Sequence, residues 1–370
     1  MNTAKSDCLT LAYFISPHGF GHAARASAVM SAIQDRSIGI RFEIFTTVPL
    51  WFFEESLKGP FSYHALLTDV GLVQESPFCA NLSGTVASLD DFLPFNPWQL
   101  EDLARKVARL KCAMVICDIS PMGIAVARQA GVPSVLVENF TWDWVYREYV
   151  LEEAGFKPHI AHLESLFFSA DFHIQTTPFC LKGPVHLTTG PVSRKARKNR
   201  LQVRKDLGIP EQAPLVLITM GGIPKDHGFI GQLAGQKGIY FLAPGAGTDF
   251  RSSENVILLP HDSEFFHPDL VHASDAVVGK VGYSTLAEVY HAGVPYGYIK
   301  RTRFKESEIL SRYIENHMTG YSIDEKMFEA GDWILRIQEL LDLPHVPGEE
   351  PNGADPVSDF VLRLLNETSG

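Results

Sequence analysis

Short apolar runs alternate with helix-length segments through the first half of the chain. They predict strands at LAYFIS (11–16), IRFEIFTT (40–47), MVICD (114–118), SVLVENF (134–140) and DFHIQTT (171–177). Strands that alternate with helices along the chain are typical of a parallel sheet that carries helices on both faces. The pattern therefore predicts a doubly wound α/β domain over residues 1–190.

A second round of alternation follows in the other half of the chain. It predicts strands at LVLITMGG (215–222), IYFLAPG (239–245), NVILLP (255–260), DAVVGK (275–280) and VPYGYIK (294–300). The length of 370 residues also exceeds what one hydrophobic core usually organises. We therefore expect a second domain of the same α/β class over residues 207–342.

Two segments outside the alternating pattern mark the expected boundaries. Residues 190–206, GPVSRKARKNRLQVRKD, are dense in Arg and Lys and weak in apolar periodicity, so we expect 191–206 to be an interdomain linker. A solvated helix face is the alternative for this basic run. Residues 343–370 begin with prolines and other helix breakers and then turn apolar from Val357 to Leu365, which predicts a terminal helix that docks across the two domains.

Composition and charge narrow the classes of partner and compartment. The formal net charge of -11 argues against general affinity for nucleic acid or anionic membranes, because both attract basic proteins. None of the five cysteines forms a C-x-x-C pair, which disfavours a disulfide framework or a zinc site and fits a reducing compartment. The N-terminus lacks the apolar stretch of a signal peptide, and no run has membrane-spanning length. We expect a cytoplasmic protein without a stable membrane anchor.

The segment SPHGFGHAAR follows the first predicted strand and opens a predicted helix. Its Gly19-x-Gly21-x-x-Ala24 spacing fits the dinucleotide-binding fingerprint in its alanine-ending form. That fingerprint also needs an acidic residue at the end of the second strand, where this chain has two threonines. NAD binding is therefore a minor alternative, and we expect the glycines to let the loop approach a different ligand.

Two histidines in the same loop suggest acid–base chemistry. A histidine with the reference pKa of about 6.5 is largely neutral at cytoplasmic pH, so His22 could take a proton from a hydroxyl group. Asp118 ends the strand MVICD at the same edge of a parallel sheet, where it could orient His22 and stabilise the imidazolium. The simpler alternatives are that His18 and His22 only bind backbone groups at a helix start, and that Asp118 only caps the helix near Pro121.

A phosphate-binding turn is predicted in ASDAVVGKVGYSTLAEVYHAGVP (273–295). Lys280 supplies a positive charge, Gly282 allows close backbone approach, and Ser284 and Thr285 open a helix whose free N–H groups suit a diphosphate. Glu288 has two candidate roles. Its carboxylate could accept hydrogen bonds from ribose hydroxyls, or it could close a capping box with the threonine.

Two further features of the second half extend this predicted site. A glycine turn, Gly221 and Gly222, follows a strand, and Arg301 and Arg303 stand beside Glu306. The arginines either belong to a charged surface loop or close over a nucleotide phosphate. No D-x-D pair occurs in the sequence, so a metal-held diphosphate is not favoured, and helix ends and cations would have to neutralise the leaving group.

The segments HGFGHAAR, VENFTWDWVYREYV and DLVHASDAVVGKVGYSTLAEVYHAGVPYGYIKRTRFKE resemble the N-terminal glycosyltransferase-like region of plant L-arabinokinases and their bacterial relatives. More distantly, the G-H after the first strand and the S-T-x-x-E-x-x-x-x-G-V-P pattern are similar to metal-independent GT-B glycosyltransferases. Those include the plant UDP-glycosyltransferases and the peptidoglycan N-acetylglucosaminyltransferase. The close resemblance covers most of residues 10–325. The arabinokinases carry a GHMP-type sugar kinase domain after this region; we expect no such domain in this protein and expect any activity to reside in the GT-B part.

The resemblance implies a GT-B fold, with two Rossmann-like doubly wound domains facing a cleft. It also implies a UDP-sugar co-substrate, held mainly by the C-terminal domain, and no further cofactor. His22 would be the general base with Asp118 as its partner, Glu288 would hold the ribose, and Glu306 the donor sugar. Near the phosphates the resemblance places Gly221, Gly222, Lys280, Ser284 and Thr285, while the loop with Gly21 approaches the donor.

These observations favour a metal-independent, inverting glycosyltransferase that moves a sugar from a UDP-sugar to an acceptor. A UDP-sugar hydrolase or epimerase on the same fold is one alternative, and a non-catalytic nucleotide-sugar-binding protein is another. The acceptor would be a small molecule or a glycan, with His18, Asn139, Trp142 and Asp143 as candidate contacts. Aromatic residues of this kind could equally be core packing.

Overall fold

The computed structural model describes residues 9–37, 39–76, 79–220, 228–247, 249–301 and 303–368. The chain divides into two compact units. The first comprises Met1–Val192 together with Asn352–Gly370, and the second comprises Ser193–Pro351. The first unit is therefore built from two separate stretches of sequence, and the second from one.

The first unit has strands β1 (Leu9–Ile15), β2 (Ile40–Thr46), β3 (Phe61–Ala65), β4 (Gln74–Ser76), β5 (Cys79–Ala80), β6 (Cys112–Asp118), β7 (Ser134–Glu138), β8 (Phe172–Thr176) and β9 (Leu187–Thr189). Its helices are α1 (Phe20–Arg36), α2 (Leu50–Ser56), α3 (Leu82–Phe92), α4 (Pro97–Arg109), α5 (Pro121–Ala130), α6 (Trp142–Tyr146) and α7 (Phe156–Phe168), with a 3-10 turn at Arg147–Tyr149. Among the described residues, seven strands form one parallel sheet in the order β3-β2-β1-β6-β7-β8-β9, and β4 pairs separately with β5.

The central strands of this sheet are apolar because both of their faces are covered. The side chains of residues 11–15 in β1 and 114–117 in β6 are completely buried. Helix α1 contacts β1, β2 and β6, and α5 contacts β1, β6 and β7. Strands buried on both faces produce continuous apolar runs, which is why these strands stand out in the sequence.

Strands β1 and β6 end at the same edge of the sheet, because their register pairs Ile15 with Asp118. From β1 the chain adds β2 and β3 on one side, and it then crosses to β6 and continues on the other side. Open α/β sheets bind ligands at the carboxyl ends of strands where the strand order reverses in this way. This end of β1 and β6, called the switch edge below, is the candidate binding region of the first unit.

The second unit repeats this arrangement with strands β10 (Leu215–Thr219), β11 (Tyr240–Pro244), β12 (Arg251–Ser253), β13 (Val256–Leu259), β14 (Ala276–Lys280), β15 (Tyr296–Ile299) and β16 (Gly320–Ile323). Its helices are α8 (Arg200–Asp206), α9 (Ile230–Leu233), α10 (His267–Ala273), α11 (Tyr283–Ala292), α12 (Glu306–His317), α13 (Glu325–Ala330) and α14 (Ile337–Leu341), with a 3-10 turn at Asp332–Arg336. In the part of this unit that the structure describes, the sheet order is β12-β13-β11-β10-β14-β15-β16, and only the β12–β13 pair is antiparallel.

From Ser193 onward, the basic segment that we expected to be a linker over 191–206 belongs instead to the second unit. Residues Arg200–Asp206 form α8, and Arg204 on this helix is buried. Its guanidinium donates hydrogen bonds to the carbonyl oxygen of Ala273 at 3.0 Å and to Asp275 Oδ2 at 2.6 Å. A buried charge needs such partners, so this run packs as structure and does not serve as a flexible connection.

The C-terminal segment forms helix α15 (Ala354–Thr368), which contacts α1 and β9 and belongs to the first unit. Arg36 of α1 holds it with ion pairs of 2.9 Å to Asp355 and to Asp359. These contacts place α15 with the first unit, and docking on the second domain as well stays a prediction. Every helix in the described ranges, α15 included, is too short or too polar to cross a membrane.

Candidate functional site

His22 and Asp118 meet at the switch edge. Strand β1 ends at Ile15 and α1 begins at Phe20, so His22 lies in the first turn of α1. Its Nδ1 is 2.9 Å from Asp118 Oδ1, and both side chains are buried. The structure thus contains the contact that the sequence led us to expect, while the catalytic role of the pair stays a prediction.

The Asp118 carboxylate determines the tautomer of His22. Burial alone would raise the pKa of Asp118, but the Arg25 guanidinium and the hydrogen bond from His22 hold it below its usual range. An ionised carboxylate only accepts hydrogen bonds, so the Nδ1 of His22 must carry the proton that it donates. A neutral imidazole in this tautomer keeps its lone pair on Nε2, which is then the atom that can take a proton from a ligand.

Asp118 is not a helix cap. Ser120 is the N-cap of α5, and its hydroxyl accepts a hydrogen bond from the backbone N–H of Gly123 at 3.3 Å. Ile119, between the two, has a φ of 52°, a left-handed conformation that costs a non-glycine residue about 1 to 3 kcal/mol. The chain therefore carries backbone strain directly beside the carboxylate, as is common at functional sites.

Arg25 completes this cluster. Its Nε donates to Asp118 Oδ2 at 2.8 Å and its Nη2 donates to Oδ1 at 2.7 Å, which makes a bidentate pair. Its Nη1 donates to Asn139 Oδ1 at 2.6 Å. The side chain is 1% exposed, so its charge is held entirely by protein groups. The cluster at the switch edge is therefore a network of His22, Asp118, Arg25 and Asn139.

Trp142 lies beside His22 but is not open to an acceptor. Its ring centroid is 6.4 Å from that of His22 and 5.0 Å from that of His18. The residue is 1% exposed, so both faces of the indole pack against protein. Stacking of an acceptor on Trp142, one of the candidate contacts, is therefore wrong, because no face of the ring remains available.

The other three expected acceptor contacts differ in how much surface they offer. Asn139 and Asp143 are buried, and Asn139 directs its side-chain oxygen to Arg25. His18 is partly exposed, and its Nδ1 accepts a hydrogen bond from the backbone N–H of Leu72 at 3.4 Å. Contact with a backbone group was the simpler alternative for His18, and among these three it is the residue with accessible surface.

Trp142 also holds a buried carboxyl group that the sequence analysis did not identify. The indole Nε1 donates to Asp69 Oδ2 at 3.0 Å, and Asp69 is 2% exposed. Burial raises the pKa of Asp69 to about 6, although the hydrogen bond with Ser16 and the electrostatic interaction with His22 act in the opposite direction. Asp118 and Asp69 therefore place two carboxyl groups in the environment of His22.

In the second unit, three charged side chains gather beyond the end of β14. Burial, together with the neighbouring charge of Arg301, lowers the pKa of Lys280 to about 7, and Glu306 opposes this shift. The Nη2 of Arg301 is 3.5 Å from Glu306 Oε2. Lys280 is the last residue of β14, and Gly282, two residues further on, is the N-cap of α11. Two cations and one carboxylate beside a helix N-terminus give the positive potential that suits an anion.

Glu288, on α11, is engaged by two partners. Arg194 Nε and Nη2 each lie 3.1 Å from its Oε1, and His267 Nδ1 lies 2.7 Å from its Oε2. Burial alone would raise the pKa of Glu288, but Arg194 and His267 hold it below its usual range. The ionised carboxylate therefore orients His267, whose Nε2 is 3.4 Å from Thr219 Oγ1 at the end of β10.

The capping-box alternative for Glu288 is wrong. The N-cap of α11 is Gly282, no side chain caps this helix, and the Glu288 carboxylate contacts Arg194 and His267. Thr285, the expected cap, lies inside the first turn and is buried, and Ser284 is partly exposed. The ribose contact stays a prediction.

The remaining expected site residues are glycines and one arginine. Gly21 lies in the first turn of α1, after Gly19, whose φ of 74° is easily adopted only by glycine. Arg303 is exposed. Gly221 and Gly222 lie outside the described residues.

Comparison with known proteins gives one curated relative and a set of solved structures of the same fold. No family model matches it. Among curated proteins it is similar to L-arabinokinase from Arabidopsis thaliana, with 27% identity over 376 residues. The match covers 99% of this chain and 35% of that protein, so the chain spans about a third of its relative's length.

Solved structures share the fold of the chain at low sequence identity. Spinosyn forosaminyltransferase SpnP has a TM-score of 0.58 and 15% identity, with 98% of this chain and 95% of that chain covered. UGT2 from Phytolacca americana, complexed with UDP-2fluoro-glucose and pterostilbene, has a TM-score of 0.57 and 13% identity, with 97% of this chain and 94% of that chain covered. MurG from Acinetobacter baumannii has a TM-score of 0.53 and 14% identity, with 96% of this chain and 99% of that chain covered. The chain thus has the α/β GT-B fold of glycosyltransferases, and both the predicted fold class and the resemblance are confirmed.

Four residues in these clusters were missed by the sequence analysis: Arg25, Asp69, Arg194 and His267. Arg25 carried a usable signal, because a charge among the small and apolar residues of α1 needs a buried partner. Arg194 was concealed in the basic run. Asp69 and His267 stood in segments without a recognisable pattern, and only the fold brings them to Trp142 and Glu288.

Proposed function

We propose that this protein is a metal-independent, inverting glycosyltransferase that moves a sugar from a UDP-sugar to a hydroxyl group of a small molecule or glycan. The observation that carries the proposal is the buried pair of His22 and Asp118, 2.9 Å apart at the switch edge of a GT-B chain. The complex of the structural neighbour UGT2 with UDP-2fluoro-glucose supports UDP-sugars as the donor class to test first.

In the proposed reaction, His22 is the general base. The Nε2 lone pair takes the proton from the acceptor hydroxyl as its oxygen attacks the anomeric carbon. Asp118 holds the ring through Nδ1 and stabilises the imidazolium that forms. The bond between the anomeric carbon and the phosphate oxygen breaks on the opposite face, and UDP leaves with the bonding electrons. One displacement of this kind inverts the configuration at the anomeric carbon.

The second unit would stabilise the departing diphosphate. Lys280, Arg301 and the N-terminus of α11 supply positive potential without a metal ion. Glu288 or its partner His267 would accept or donate hydrogen bonds at the ribose. His267 is the more accessible of the two, with 25% of its side chain exposed against 3% for Glu288.

The proposal is tested first by ligand binding. Thermal unfolding is measured with UDP, GDP, ADP, several UDP-sugars and NAD, because a ligand of the native state raises the midpoint by mass action. We expect stabilisation by UDP and by one UDP-sugar. Stabilisation by NAD alone would overturn the transferase proposal and favour the alternative that the Gly19-x-Gly21 loop binds a dinucleotide.

Turnover is then followed by the release of UDP from the stabilising donor, with and without candidate acceptors. We expect release to depend on an acceptor and a glycosylated product to appear. Release of UDP and free sugar without acceptor would instead indicate a hydrolase that uses the same histidine to activate water. Tight binding with no release under any condition would indicate a protein that only binds nucleotide sugars.

A further inference from the structure

Arg25 and His22 share one carboxylate. The Oδ1 atom of Asp118 accepts from Arg25 Nη2 at 2.7 Å and from His22 Nδ1 at 2.9 Å, while Oδ2 accepts from Arg25 Nε at 2.8 Å. Each partner therefore influences how strongly Asp118 acts on the other. Arg25 is fully buried, so solvent does not screen this interaction.

An Asp118 without a positive partner would make His22 a poor base. A carboxylate in contact with an imidazole, in a buried site, favours the protonated ring. A protonated ring has no lone pair with which to accept a proton from a hydroxyl group. Asp69 adds to this tendency, because its carboxyl group also interacts with His22.

We propose that Arg25 is a positioning residue that balances the charge of Asp118, so that His22 stays neutral with its proton on Nδ1 and its lone pair on Nε2. The inference rests on the proposed function in one respect, since it assigns His22 the role of base. The fork of the guanidinium fixes both oxygens of Asp118 and also the amide of Asn139, so it sets orientation as well as charge.

The charged and titratable groups around this cluster come from several elements. Within the described ranges they include Asp118 and Cys117 on β6, Arg25 on α1, Asp69 after β3, Tyr13 on β1 and Tyr146 on α6. Burial raises the pKa of Tyr13 well above its ordinary value, so this phenol is neutral. The rings of Phe140 and Trp142, which pack near His22, carry no charge. Arg25 is thus a positive charge that opposes the Asp118 carboxylate.

The test uses nuclear magnetic resonance of the full chain labelled with ¹⁵N-histidine, which requires no turnover. The spectrum of His22→Gln assigns the His22 signals. Long-range ¹H–¹⁵N spectra then show which ring nitrogen carries the proton, and a pH series gives the midpoint at which the ring becomes charged. In the native protein we expect the proton on Nδ1, and a proton on Nε2 would overturn the proposal.

The decisive variant is Arg25→Met, which removes the charge but keeps a long side chain. We expect the His22 midpoint to rise by about 1 to 3 pH units, the range for a close opposite charge that is no longer balanced. Arg128→Met, on the exposed last turn of α5, is the matched control and should leave the midpoint unchanged. An unchanged midpoint in folded Arg25→Met would overturn the proposal.

Arg25→Lys keeps the result decisive if the methionine variant does not fold. Lysine retains the charge but lacks the fork, so we expect a midpoint near the native one and weaker protection of the Nδ1 proton from exchange with solvent. If the Nδ1 proton of Arg25→Lys exchanges at the native rate, the guanidinium of Arg25 does not orient Asp118 and His22, and that part of the proposal is wrong. The His22 midpoint and the exchange rate are measured without substrate, so they test the role of Arg25 even if no glycosyl transfer is found. If transfer is confirmed and the midpoint does not shift, the proposed role of Arg25 is wrong and the proposed function is unaffected.

Discussion

Arg194 and Glu288 form a buried ion pair in which two guanidinium nitrogens share one carboxylate oxygen, each at 3.1 Å. The pair links the start of the second unit to helix α11, where the sequence had offered a ribose contact or a capping box as the role of Glu288. Arg194 also lies over the ring of Phe266, with the guanidinium carbon 5.0 Å from the ring centroid. Removing either charge would break this buried ion pair.

Glu288→Ala should therefore destabilise the second unit by about 3 to 5 kcal/mol, the usual cost of removing one partner of a buried ion pair. Glu288→Gln keeps the shape of the side chain and should cost less, while weakening the binding of a UDP donor. The measurement is urea unfolding with calorimetric titration of UDP. Glu308→Ala, whose side chain is 52% exposed and pairs with Arg312, is the control and should change stability by less than about 1 kcal/mol. Unchanged UDP affinity in the glutamine variant would remove Glu288 and its network from the donor site.

His22→Ala should lower turnover by about 10²- to 10⁴-fold, the range for a lost general base. Donor binding should stay nearly native, because the expected donor contacts lie in other residues. Turnover is measured as the rate of UDP release in the presence of acceptor, and donor binding is measured by calorimetry. His162→Ala removes an exposed histidine of α7 and should keep the native rate. Native turnover in His22→Ala would end the assignment of the base.

Nucleotide affinity should fall as the pH rises above 7. The pKa of Lys280 is lowered to about 7 by burial first and by Arg301 second, so the ammonium loses its proton near neutral pH. A diphosphate favours the charged form, and binding therefore takes up a proton above this pH. Calorimetry at pH 6.5, 7.5 and 8.5 should show a loss approaching tenfold per pH unit at the upper end. Lys280→Arg keeps its charge throughout and should flatten this dependence, whereas a pH-independent native affinity would exclude Lys280 from contact with the phosphates.

Asp69→Asn should stabilise the first unit at pH 8. Burial raises the pKa of Asp69 to about 6 in the folded protein, above the value of about 3.9 in an unfolded chain. An acid with a raised folded pKa destabilises the protein when ionised, and stability is regained as the pH falls from 6 towards 4. We therefore expect the asparagine variant to be more stable by up to about 2 to 3 kcal/mol at pH 8 and nearly equal to native at pH 4. The control is Asp102→Asn, because the side chain of Asp102 is exposed, and its stability relative to the native protein should not change with pH in this way. Asp171 is not used as the control, because Ser134 donates a hydrogen bond to its carboxylate.

The strand pattern and the His22–Asp118 contact could be predicted because both follow from local rules. Continuous apolar runs mark strands buried on both faces, and parallel strands bring their carboxyl ends to one edge. A histidine just after β1 and an aspartate at the end of β6 must then lie close together, given that these strands are neighbours.

The polar networks could not be predicted in the same way, because no rule of strand order or helix start brings their members together. Glu288 meets Arg194 across 94 positions, and Trp142 meets Asp69 across 73. No periodicity or motif connects such pairs. The same limit explains the error about Trp142, since a tryptophan in a loop motif is accessible or buried according to the segments that fold over it.

Helix α15 has a consequence for the order in which the protein is made. It packs on α1 through Arg36, so the first unit lacks one of its packing partners until residues 354–368 have been synthesised. The second unit is continuous from Ser193 to Pro351 and leaves the ribosome earlier. Domains tend to fold as units during synthesis. The second unit can therefore fold before the first unit has acquired α15. During that interval the surface of α1 that α15 covers is exposed.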